Sequence, residues 1–100
     1  MPPRRRKFSS EPFGPSVERL MEETGVTYRA LAAKTGLSAG YLNHLVHGNR
    51  PVTSNDVVET LAGSLGVEPE YFREYRLRTI TERLEEMPDL VDRLYKRLNG

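Results

Sequence analysis

The sequence predicts an all-α protein: a bundle of five short helices with a C-terminal helical extension. Three observations lead to it. From Val17 to Leu98 apolar residues recur three and four apart, the period of a helix and not the alternation of a strand. Gly25, Gly36 and Gly66 fall just past the ends of such runs, where helices stop. Thr27, Ser38 and Thr53 stand just before the next runs, where a side-chain oxygen satisfies a free backbone N–H.

Composition bounds the rest. A chain of 100 residues that is 37% hydrophobic and 29% charged suits one small domain with a modest core. With no cysteine, a disulfide framework and a cysteine zinc site are both excluded. No apolar run approaches the length of a membrane span and no signal-peptide pattern is present, which points to the cytoplasm. The net charge of +1 hides an asymmetry. Of the 15 Lys and Arg, four are Arg4, Arg5, Arg6 and Lys7, leaving 11 in the body against all 14 acidic residues. Bulk charge therefore does not make the body a nucleic-acid binder, and any such affinity must come from a local face, the arm, or both.

The elements follow in order. Residues 1–15 hold Pro2, Pro3, Pro12, Pro15 and Gly14 without periodicity and read as a flexible basic arm. Its Arg4–Lys7 cluster would follow phosphates or enter a minor groove, or else serve as a solvated tail. A first helix is expected over 16–24, with Val17, Leu20 and Met21 as its stripe and Gly25 as its stop. A second starts after the capping hydroxyl of Thr27 and runs to Thr35, turning Tyr28, Leu31, Ala32 and Thr35 inward. A third spans 39–46 and buries Tyr41, Leu42, Leu45 and Val46. After a loop at 48–53 comes a fourth helix over 54–65, with Thr53 and Asp56 at capping-box spacing. Pro69 suits the first turn of a long fifth helix to Glu86. Pro88 breaks that run, and Asp89 is placed to cap a last helix to about Leu98. The division expected is an arm over 1–15, a helical domain over 16–76 and an extension over 77–100.

Residues 28–47 organise the chain. Ala32 is small enough for two helices to approach, Gly36 tolerates the sharp turn, and Ser38 caps the second helix, with Leu31, Leu37, Leu42 and Leu45 as the corner's apolar contacts. This is the pattern of a helix-turn-helix, whose second helix lies in the major groove of DNA. Taken with Thr35-Gly36-Leu37-Ser38, Tyr41-Leu42, Gly48, Arg50-Pro51, Leu61-Ala62 and Leu65-Gly66-Val67, residues 16–72 resemble the lambda-repressor-like, Cro-type (XRE) helix-turn-helix domain.

The resemblance implies double-stranded DNA as the partner, with the third helix as reader. Carried over by position, Ala39, Gly40, Asn43, His44 and His47 would face base edges or nearby phosphates. Asn43 matches the donor–acceptor edge of adenine, and His44 can donate to guanine acceptors. Ala39 reaches only a thymine methyl, and Gly40 allows close backbone approach. Family members often carry Gln where this chain has Tyr28 and Ala39, so direct readout rests on few groups. Thr27, Tyr28, Arg29, Asn49, Arg50, Ser54 and Asn55 are the expected phosphate contacts, the helix N-termini among them offering free N–H groups. The bland alternative is an ordinary solvated helix face with Thr53 and Ser54 as simple caps. His44 and His47 lie three apart, but with no cysteine and no acidic residue close in sequence no metal or other cofactor is expected.

Beyond the resembling region, Leu77, Ile80, Leu84, Met87, Leu90, Val91, Leu94 and Leu98 exceed what such a domain needs to bury. They suit a homodimer interface; the alternative is a last helix folded back over the fifth or first. Nothing supports an enzyme: there is no Gly-rich phosphate loop and no defensible nucleophile–base set. No membrane partner or small-molecule ligand is evident. The expectation is a dimeric, nucleoid-associated transcriptional regulator. The alternatives are a protein-interaction module (an antitoxin or adaptor) on the same fold, or nonspecific nucleoid binding through the arm.

Overall fold

A computed structural model of the chain describes residues 8–48 and 54–100. Among them the order is α1 (Phe13–Thr24), α2 (Tyr28–Thr35), α3 (Ala39–Val46), α4 (Asn55–Leu65), a short 3-10 turn (Pro69–Tyr71), α5 (Arg73–Glu85) and α6 (Pro88–Asn99), with no strand. The corner forms as its residues dictate. Thr27 Oγ1 accepts from the Ala30 N–H at 3.1 Å and starts α2. Gly36 ends it at φ 79°, a left-handed conformation that costs glycine nothing. Ser38 Oγ then accepts from the Tyr41 N–H at 3.0 Å and starts α3.

One apolar core holds α1–α4 together. Leu20, Leu31, Leu42, Val58, Leu61 and Phe72 are fully excluded from water. α1 crosses the end of α3 at Gly14, where an added Cβ would fall on the Val46 carbonyl oxygen and 2.8 Å from that of Leu45. Glycine is required there by space, not by φ. α6 packs on α5. The radius of gyration, 15.8 Å, exceeds the ~13 Å usual for a chain of this length.

Sequence expectations about helix starts, caps and continuity need correction. α1 begins at Phe13 and not Ser16, so residues 9–15 are no flexible arm. Pro15 lies within the first turn of α1, where a missing N–H costs no helical bond. Ser9 is buried, its hydroxyl 2.5 Å from that of Ser16, and its N–H donates to the Tyr71 carbonyl at 2.9 Å.

The expected long helix over 69–86 is interrupted. Phe72 is extended, at φ −87° and ψ 133°, between the 3-10 turn and α5. Its ring is wholly buried, tilted on Phe13 at 4.8 Å and edge-on to Tyr71 at 5.3 Å. Burying such a ring is worth roughly 1.5–3 kcal/mol, against roughly 0.5–1.5 for one helical hydrogen bond, so the ring decides the break.

The cap of α4 is Ser54, whose Oγ accepts from the Val57 N–H at 3.4 Å, in place of the expected Thr53–Asp56 box; Thr53 itself lies outside the described residues. Asp89 does not cap α6, because Pro88 takes its first position and Asp89 falls inside the first turn, with no side-chain cap bond at Met87. The expected division between residues 76 and 77 falls within the continuous α5.

Candidate nucleic-acid interface

α3 presents two opposite faces. Leu42, Leu45 and Val46 are buried behind it. Ala39, Gly40, Asn43, His44 and His47 are all exposed on its other side, so the five residues expected to face bases are brought together and uncovered. Ser38 engages the N–H groups of Tyr41 and Leu42 through its hydroxyl and carbonyl, which leaves those of Ala39 and Gly40 facing outward at the helix start. A Cβ at Gly40 would meet nothing within 4 Å, so that end of α3 is bare backbone. Among the described residues no cluster of His, Cys, Asp and Glu suited to a metal gathers around His44 and His47.

Two further helix starts hold residues expected to contact phosphates. At α2, Thr27 takes up the N–H groups of Ala30 and Leu31 through its hydroxyl and carbonyl, so those of Tyr28 and Arg29 have no partner inside the helix. Arg29 is exposed. Tyr28 is half-buried, and burial, with the Glu18 carboxylate adding to it, pushes its phenol above the ordinary range and keeps it neutral. At α4, Ser54 and Asn55 are half-buried. The acidic Asp56 sits in that first turn, but Arg78 of α5 reaches it as well, its Nη1 donating to Asn55 Oδ1 at 3.1 Å.

Sequence reasoning did not single out Arg78 and so missed this guanidinium beside α4. The break at Phe72 precedes α5, and no local signal announces it. Asn49, Arg50 and the Arg4–Lys7 cluster lie outside the described residues.

The tail stripe divides. Leu84, Leu90 and Leu94 are half-buried where α5 meets α6. Leu77, Ile80, Met87, Val91 and Leu98 are exposed, as is Tyr95.

A capped two-helix corner, its second helix buried on one side and bare on the other, defines a helix-turn-helix domain. The family model described as a helix-turn-helix domain matches residues 13–75, and the chain belongs to that family. The match begins at the first residue of α1 and ends inside α5, in keeping with the Cro-type resemblance. Such a domain implies binding to DNA. No curated protein and no solved structure matches the chain. No helix among the described residues is long and apolar enough to cross a membrane.

Proposed function

We propose that the protein is a sequence-specific DNA-binding transcriptional regulator that inserts α3 into the major groove. The observation that supports this best is the division of α3: Ala39, Gly40, Asn43, His44 and His47 share one exposed face while Leu42 and Leu45 anchor the other. Asn43 reads adenine and His44 guanine or a phosphate. Thr27, Tyr28, Arg29, Ser54 and Asn55 seat phosphates at two helix starts, joined by Asn49, Arg50 and Arg78. Arg4–Lys7 adds charge that does not depend on sequence.

So few direct readers give one subunit modest specificity, and a second subunit supplies the rest. Residues 77–98 form the interface between the two. If their reading helices enter successive grooves, the half-sites lie about 34 Å apart or a multiple of that. The site of action is the cytoplasm, on the nucleoid.

The test is fluorescence anisotropy across a salt series, comparing sites selected from a random pool with unselected DNA. Selected sites should bind more tightly at every salt concentration. Equal affinity for all sequences would leave only nonspecific binding through the arm. No DNA affinity at all would favour the protein-interaction reading.

A further inference from the structure

Met87, the N-cap of α6, and Val91, Tyr95 and Leu98 within it make an exposed apolar line at spacings of four, four and three, and are 40%, 39%, 67% and 79% exposed. That periodicity keeps them on one face of the helix. Leu90 and Leu94, beside them, are half-buried where α6 meets α5, so among the described residues the line is left uncovered. The charges of α6 are sorted along its length. Asp89 and Asp92 lie in its first half, Arg93 at its middle, and Lys96 and Arg97 in its second half. Among the described residues none of these five side chains has an ion-pair partner, and Asp92 does not close on Lys96 although the two are one turn apart.

We propose that α6 pairs antiparallel with α6 of a second copy of this chain, across a twofold axis near Arg93 and Leu94; the pairing rests on the two-subunit reading above. A parallel pair would set acidic halves against acidic and basic against basic. An antiparallel pair sets Asp92 of each copy against Lys96 of the other, and aligns the two helix dipoles favourably. It also places the small Val91 opposite the large Tyr95, and Met87 opposite Leu98. The surface is self-complementary, as a twofold interface must be.

The chain has no cysteine, so introduced thiols report the geometry without background. Met87 and Leu98 lie about 16 Å apart along the helix at 1.5 Å per residue, too far for either to reach its own copy in the antiparallel pair. Met87→Cys and Leu98→Cys chains, oxidised separately, should stay uncrosslinked; mixed, they should yield a disulfide-linked dimer. In parallel, Asp92→Lys should raise the dimer dissociation constant about tenfold, since two reversed pairs act together. Adding Lys96→Asp to the same chain should restore it, as read by sedimentation.

A Leu98→Cys chain that crosslinks to itself, or a double variant that stays weak, would overturn the antiparallel pairing while the dimer stands. An unmodified chain that sediments as a monomer at all concentrations would remove the dimer and this pairing together, leaving the apolar line to a different protein.

Discussion

The carboxylate of Glu74 accepts a hydrogen bond from the backbone N–H of Phe13 at 3.1 Å, across 61 residues of chain. Pro12, at the head of α1, supplies no side-chain cap, and α1 has no acidic residue in its first turn. Glu74 therefore does from α5 what an N-cap residue does locally, and places a negative charge at the positive end of α1. Its neighbours fasten the same segment. Arg73 Nη1 donates to the Ser10 carbonyl at 3.2 Å, and Arg76 Nη2 to that of Ser9 at 2.8 Å. The Arg76 guanidinium also lies 4.5 Å from the centre of the Phe8 ring.

Glu74→Ala should destabilise the protein by about 1 kcal/mol, the usual worth of an N-cap. Glu74→Gln keeps an acceptor but not the charge and should cost less. Urea unfolding of the three chains checks the order. Equal stability of all three would mean that α1 needs no cap from α5.

How much could be read in advance follows from where each signal lies. Thr27, Gly36 and Ser38 act on backbone groups within three residues of themselves, so the corner and its exposed face were legible from sequence. Phe13 and Phe72 act on each other across the whole domain. Their contact pulls the start of α1 back to residue 13 and breaks the helix expected over 69–86. The prolines and glycine of residues 12–15 look like a linker because the partner that orders them, Glu74, is distant in sequence. Gly14 is the clearest case: nothing nearby explains it, and the carbonyls of Leu45 and Val46 do.

The Glu11–Arg19 pair fixes how the same segment responds to acid. Both guanidinium nitrogens involved donate to the Glu11 carboxylate at 2.9 Å. The hydrogen bonds from Arg19 hold the Glu11 carboxyl below its ordinary range, and the same contact pushes Arg19 upward. A carboxyl lowered in the folded state stabilises it above the ordinary carboxylate range, and that contribution is lost as pH falls through the lowered value. Glu11→Gln should therefore melt slightly below the parent at neutral pH and converge with it in strong acid. Added salt should narrow the neutral-pH gap, since the pair is exposed. Melting curves at several pH values decide it; a gap that persists in acid would assign the effect to packing.

Gly40 separates folding from binding. A Cβ there has open space and the residue is helical, so Gly40→Ala should leave the fold intact and stabilise α3 by up to ~1 kcal/mol. On the proposed interface the same methyl intrudes where backbone approaches DNA. The variant should unfold at higher urea and yet bind selected DNA more weakly. Higher stability with unchanged affinity would show that the start of α3 does not approach the duplex.

Readout and anchoring should fail differently. Changing both Asn43 and His44 to Ala removes hydrogen bonds to base edges, each good pair of which is worth roughly 1–3 kcal/mol of discrimination. The gap between selected and unselected DNA should shrink while nonspecific binding stays nearly constant. Arg78→Ala removes a cation beside the start of α4. It should weaken binding to all sequences alike and reduce the slope of log affinity against log salt by about 0.9, the share of one phosphate. Each variant controls for the other, because a global loss of structure would lower both quantities at once. If Arg78→Ala instead altered sequence preference at constant slope, that guanidinium would be acting on α4 through Asn55 and not on a phosphate.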